Sequence, residues 1–264
     1  MMMYTTEQLT RYSRQIAVKE VGLAGQEKLT AGRVLVIGAG GLGSAALMYL
    51  AAAGVGTLGI ADYDRVDLSN LARQILHRTS RLGSPKTASA AETLRDINPD
   101  PQLVLCPLRV TPENIGPLIR DYDIVLDCTD RFANKLLVND ACTAARKPFV
   151  HAGVLGASGQ IMTWLPGPWP CLRCLTGDGP QQEETNASRG VLGAAVGVIS
   201  SMQALEAIKF LLGTGELLTG RMLHFDGMAM AFFETPLPAK SPYCGACGAA
   251  SSAQTAGQAP FDPV

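Results

Sequence analysis

The segment Gly38-Ala39-Gly40-Gly41-Leu42-Gly43 joins an apolar run, Arg33-Val34-Leu35-Val36-Ile37, to Ser44-Ala45-Ala46-Leu47-Met48-Tyr49-Leu50, which reads as helix. A buried strand that enters a helix through glycines at 38, 40 and 43 makes a tight turn. Its backbone can approach a phosphate closely, and its first helical N–H groups face an anion. The remaining elements have to accommodate this strand-turn-helix unit.

Downstream, Thr57-Leu58-Gly59-Ile60-Ala61-Asp62, Val104 to Cys106 and Ile124 to Asp127 read as strands, and Lys86 to Ile97 and Asn134 to Arg146 as helices. Such alternation predicts a parallel sheet covered by helices. After Lys147-Pro148 the pattern changes. Phe149-Val150-His151, a Gly-rich turn and Ile161-Met162-Thr163-Trp164 follow, with a hairpin predicted through Asp226-Gly227. The expected class is α/β, a Rossmann-like nucleotide-binding half continuing into a mixed β-sheet with helices on both faces. At the start, Thr5 and Gln8 form a capping box for a helix with Leu9, Tyr12 and Ile16 on its apolar face.

With 264 residues, 47% of them hydrophobic and 17% charged, the chain can bury a sizeable core. The net charge of −1 and scattered basic residues argue against a non-specific nucleic-acid surface. No secretory signal opens the sequence, so a cytoplasmic protein is expected. The apolar stretch from Gly190 to Leu212 is long enough for a membrane span, but Ser200, Ser201, Gln203, Glu206 and Lys209 interrupt it. It is read as a buried helix, packed through Val191, Val198, Met202, Leu205, Ile208 and Leu212, and no membrane partner is expected.

Asp62 lies 19 residues past Gly43, near the spacing at which a carboxylate accepts from a ribose hydroxyl. Taken alone, these features describe an NAD-dependent oxidoreductase. The polar segment Asp62 to Gln74, followed by Lys86, points elsewhere: Asn70, Arg73 and Lys86 can neutralise a triphosphate and a departing pyrophosphate. No Walker lysine follows the glycines. Asp127-Cys128-Thr129-Asp130 closes another strand at its carboxyl end, where Asp130 can hold Mg²⁺ between phosphate oxygens or cap the next helix. A non-catalytic nucleotide-binding scaffold would share some of these residues. His77, His151 and His224 have no obvious triad partner and are read as structural.

Seven cysteines without a signal suggest reduced thiols or metal ligands rather than a disulfide framework. Cys171-Leu172-Arg173-Cys174 and Cys244-Gly245-Ala246-Cys247 together suit a closed tetrahedral Zn²⁺ site, or each could be a redox pair. Cys106, Cys128 and Cys142 fall in strands and helices as small hydrophobes.

Together with Arg11-Tyr12-Ser13-Arg14-Gln15 and Met202-Gln203-Ala204-Leu205-Glu206-Ala207-Ile208-Lys209, these motifs make the chain resemble the ThiF/MoeB/HesA family, relatives of the ubiquitin-activating enzymes, up to about Gly248. The resemblance implies a single adenylation domain over 1–248, with an N-terminal helical arm at 1–32, a crossover loop at 166–189, a zinc clamp at 171–174 and 244–247, and a disordered tail at 249–264. It implies a homodimer that uses MgATP to adenylate the C-terminal glycine carboxylate of a small ubiquitin-like sulfur carrier ending in Gly-Gly, for sulfur transfer in molybdopterin, thiamine or other metabolite synthesis. By the same resemblance Gly41 and its neighbours contact phosphate, Asp62 the ribose, and Asn70, Arg73 and Lys86 the phosphates. Asp130 organises magnesium, and Arg14 reaches into the partner subunit's site. Many members carry a cysteine in the crossover loop that takes the carrier covalently; here Asn186 occupies that position. The expected reaction therefore stops at the acyl-adenylate.

Overall fold

The computed structural model describes residues 4–179 and 190–248. Helices α1 (Thr6–Ile16) and α2 (Gly22–Ala31) precede a Rossmann-like run of β1 (Arg33–Ile37), α3 (Gly41–Ala52), β2 (Thr57–Ala61), α4 (Lys86–Ile97), β3 (Gln102–Cys106), α5 (Pro112–Ile119), β4 (Ile124–Asp127) and α6 (Phe132–Ala144). Strands β5 (Phe149–Leu155) and β6 (Ser158–Trp164), the short α7 (Leu172–Thr176), the long α8 (Gly193–Leu212) and the hairpin β7 (Arg221–Asp226) and β8 (Ala231–Pro236) complete it.

All eight strands form one sheet in the order β3-β2-β1-β4-β5-β6-β7-β8. Pairings from β3 to β5 are parallel and those from β5 to β8 antiparallel. Helices α3, α4 and α8 pack on one face, against Val34, Val36, Leu58 and Leu126. Helices α5 and α6 pack on the other, against Leu35, Val125 and Phe149. The expected mixed sheet with two covered faces is thus the observed one. The Asp226-Gly227 turn is present, and the Thr5–Gln8 capping box closes in both directions.

The turn between β1 and α3 explains two of its glycines without reference to any ligand. Gly38 adopts φ +101°, and a Cβ there would lie 2.6 Å from the Cys128 carbonyl oxygen. A Cβ on Gly43 would overlap the carbonyl oxygen of Gly38. Backbone presses on backbone, so no side chain can give way. Gly43→Ala is expected to destabilise the fold by about 2 kcal/mol or more, through overpacking. Chemical denaturation measures this, and an unchanged midpoint would contradict the packing described.

Helix α8 corrects one expectation. Its length and composition would allow a membrane crossing, yet half of it is buried against α3 and the sheet. The buried face, however, carries Ala195, Val196, Ile199, Ser200, Gln203, Ala204, Glu206 and Ala207, whereas Leu205 is 55% exposed and Val198, Met202 and Ile208 are only half-buried. The polar side chains lie inside because each meets a partner there. Ser200 accepts from Ala46 N–H at 2.7 Å. Gln203 donates to the Asp127 carbonyl at 3.0 Å. Glu206 accepts from Leu218 N–H at 2.9 Å and from the Thr163 hydroxyl. Buried polar groups so satisfied cost little.

Candidate functional site

A cleft of about 1550 Å³ opens at the carboxyl ends of the parallel strands, where β1 and β4 become neighbours and their connections diverge. Ligands bind at such a switch point in open α/β sheets. Gly38, Gly40, Gly41, Asp62, Arg73, Lys86 and Asp130 all line it. A Cβ on Gly40 would meet only ordinary contacts, the nearest 3.5 Å away on Gln74. Protein packing therefore does not require that glycine, and its open side belongs to the cleft.

Asp62 follows β2 directly, and its carboxylate bridges two backbone donors, Ala39 N–H and Asp64 N–H, each at 2.7 Å. Burial pushes its carboxyl up, opposed by Lys86 and by those two N–H groups. Each oxygen keeps a further lone pair for a ribose hydroxyl.

Lys86 is the first residue of α4, where a cation faces the positive end of the helix dipole, and it is only 5% exposed. Both features disfavour a lysine. Its one ion-pair partner among the described residues is Asp64, at 3.0 Å and itself 47% exposed. A buried cation so lightly paired at the rim of a phosphate turn suits an anionic ligand.

Arg73 lies against Gly41, lines the cleft and donates from Nη1 to the Ser69 carbonyl at 2.9 Å, which occupies one of the five donors of its fork. Asn70 does not line the cleft; its amide oxygen accepts Asp67 N–H at 3.2 Å, in a capping box that shapes the turn leading to Arg73. Arg14 also lies outside, exposed on α1. Asp130 is exposed in the cleft, and the residue capping α6 is Arg131, so Asp130 does not serve as that N-cap. The site of Asn186 lies outside the described residues.

Sequence reading passed over a buried cluster beside Asp130. Asp127 Oδ2 meets His151 Nδ1 at 2.9 Å and Lys135 Nζ at 3.3 Å, and its Oδ1 accepts from Thr129 N–H and from the Thr129 hydroxyl. Although burial opposes it, the neighbouring Lys135 and His151 hold the Asp127 carboxyl down at about 2. His151 therefore does have a partner, brought 24 residues along the chain by the parallel β4–β5 register. Two polar residues each ending an apolar run were the available signal. His77 is structural as expected, joined to Ser89 and the Ala39 carbonyl.

Asp127→Asn should leave Lys135 as an unpaired buried charge, costing about 3–5 kcal/mol of stability. Because the folded carboxyl titrates below its unfolded value of 3.8, its stabilisation is complete above that pH. It is lost as pH falls toward about 2, and the variant should lack this acid-limb loss. Urea melts of both proteins at several pH values check the sign.

The four cysteine sulfurs lie within 4.8 Å of one another. Cys171 is 3.7 Å from Cys244 and 4.0 Å from Cys174, and Cys174 is 3.4 Å from Cys247. Thiolates about 2.3 Å from a tetrahedral Zn²⁺ stand roughly 3.8 Å apart, so the set fits zinc. Cys128 and Cys142 are buried, with thiols pushed far above the ordinary range by burial, and Cys106 is half-buried.

A family model described as the ThiF family matches residues 12–246. The adenylyltransferase and sulfurtransferase MOCS3 of Drosophila virilis is 45% identical over 246 residues, covering 92% of this chain and 54% of that protein. The MOCS3 of Anopheles gambiae is 44% identical over 246 residues, covering 92% and 56%. The chain thus spans about half the length of the curated relatives it matches. Escherichia coli MccB, solved with ATP, has the same fold at a TM-score of 0.78 and 22% identity, over 90% of this chain and 74% of that one. By the extent of the family match and the identity to these relatives, the chain belongs to the ThiF family.

Proposed function

We propose that this protein binds MgATP and adenylates the C-terminal glycine carboxylate of a small ubiquitin-like sulfur-carrier protein, releasing pyrophosphate. The observation that carries the reading is Lys86: a buried cation at a helix N-terminus, facing the same cleft as the glycine turn, Asp62, Arg73 and Asp130. An oxidoreductase needs no such set. The named relatives, as adenylyltransferases and sulfurtransferases, support the nucleotidyl-transfer class.

In this mechanism the carrier's carboxylate is the nucleophile and attacks the α-phosphorus as pyrophosphate leaves. The protein aligns the two and neutralises charge. Asp62 holds the ribose, the glycine turn cradles phosphate, and Arg73 and Lys86 stabilise the charge that develops on the phosphates. Asp130, exposed in the cleft, would hold magnesium, whose charge would offset that of the phosphates. Arg14 completes the site from the partner subunit of a homodimer, which accords with its exposure outside its own cleft. With no cysteine between Cys174 and Cys244, the reaction ends at the acyl-adenylate.

Intact-mass spectrometry of a Gly-Gly-terminated carrier incubated with enzyme and MgATP should show an AMP adduct on the carrier and no carrier–enzyme linkage. Absence of the adduct would contradict adenylation. A thioester or disulfide link to any enzyme cysteine would contradict the stop at the adenylate.

A further inference from the structure

His151 is only 1% exposed and lines the cleft, yet among the described residues only one of its ring nitrogens has a partner. Asp127 is ionised and can only accept, so the proton of the Nδ1 contact belongs to the imidazole. Burial, with Lys135 adding to it, holds the ring below its ordinary pKa despite Asp127, so it is neutral. Nε2 therefore carries a lone pair. Among the described residues it has no hydrogen-bond partner, and it is closed to solvent. Buried acceptors are seldom left so, because the lost hydration is not recovered.

The layout of the sheet bears on which reactant group meets His151. His151 is paired with Asp127 at the end of the parallel strands, with Thr129 and Asp130 beyond. Two residues on, along the same face of β5, Gly153 begins a row across four strands: Gly153, Gln160, His224 and Phe233 are successive register partners and all line the cleft. The exposed Met228, in the turn between β7 and β8, lines the cleft as well. The cleft thus has a nucleotide end, at Gly40 and Asp62, and a shelf over the antiparallel strands. His151 stands where they join. Phosphates carry no donor at neutral pH, and the ribose hydroxyls fall to Asp62 at the far end. In a reacting carboxyl-terminal peptide, the donor closest to the attacking carboxylate is the main-chain N–H of the last residue.

We propose that His151 Nε2 accepts this terminal N–H, so that the site selects a peptide carboxyl terminus over a simple carboxylic acid and fixes the carboxylate toward the α-phosphorus. Asp127 and Lys135 are positioning residues that set the tautomer and ring orientation. The inference rests on the adenylation reading, and the substrate N–H must enter with a small opening at His151.

The test uses two carriers, one ending in the natural glycine and one ending in glycolate, whose ester oxygen replaces the N–H while the carboxylate remains. Carrier-dependent ATP–pyrophosphate exchange is measured for the wild type and His151→Ala, or for His151→Gln if alanine prevents folding. The wild type should lose about 10- to 100-fold in kcat/KM with the ester carrier. The variant should show a similar loss with the natural carrier, no further loss with the ester, and an unchanged KM for ATP. Equal use of both carriers by the wild type would overturn the inference, as would full discrimination by the variant. Exchange with neither carrier would instead remove the adenylation reading itself.

Discussion

Replacing Lys86 with methionine is expected to slow adenylation by about 100- to 1000-fold, the usual loss when a preorganised charge aimed at the transition state is removed. Methionine keeps most of the aliphatic stem that is buried at the start of α4. The ion-pair partner left behind, Asp64, is 47% exposed and retains much of its hydration, and Asp62, which also loses the Lys86 charge, keeps its two backbone donors. The helix end loses a cation from its unfavourable pole. Folding should therefore change by less than about 1 kcal/mol while turnover falls steeply, a separation that a merely structural lysine would not produce. Single-turnover rates set beside thermal melts of Lys86→Met provide both readings. A variant that melted early and turned over normally once folded would place Lys86 in the scaffold.

The nucleotide half was legible because its signals are local. The runs Arg33–Ile37 and Ile124–Asp127 are strands with the expected bounds, and Lys86–Ile97 is a helix with both expected ends. Glycines 38 and 43 are required by contacts a few residues away in space and sequence or with the adjoining strand. What escaped the sequence depends on partners far along the chain. Ser200, Gln203 and Glu206 looked like interruptions in an apolar helix, yet they bond to Ala46, Asp127 and Leu218 and form its inner face. His151 looked solitary because Asp127 stands beside it only through parallel pairing. Asn70 belonged to the expected set through its place in the polar segment after Asp62, but its amide oxygen is engaged by the Asp67 backbone. Helix α6 begins at Phe132 rather than Asn134, and β2 ends at Ala61 with Asp62 just beyond.

Removing zinc is expected to have the second large effect, on stability. Burial pushes Cys171 up to about 11, against hydrogen bonds from Cys174 and Cys247, and a bound metal would hold the four sulfurs deprotonated together. The knuckle is also tied to α6. Leu172 N–H donates to Asn139 Oδ1 at 2.9 Å, and Arg173 pairs with Asp140 at 2.6 Å. Its loss would reach the helix that follows Asp130. Structural zinc contributes several kcal/mol, and a chain of this size loses about 2–4 °C per kcal/mol. Cys244→Ser, or prolonged chelation, should therefore lower Tm by about 10 °C or more. Denatured wild-type protein should release one zinc per chain. Release of no zinc, or an unmoved Tm in Cys244→Ser, would contradict the assignment.

The claim beneath these expectations is that the cleft activates an α-phosphate for attack by a carrier carboxylate. Arg73, which lies against Gly41 and lines that cleft, bears on it directly. The decisive measurement is exchange of labelled pyrophosphate into ATP, with and without a Gly-Gly-terminated carrier, in the wild type and in Arg73→Ala. Exchange that requires the carrier and falls by about 100-fold or more in the variant is the predicted result. Undiminished exchange in Arg73→Ala, or exchange indifferent to the carrier, would contradict it.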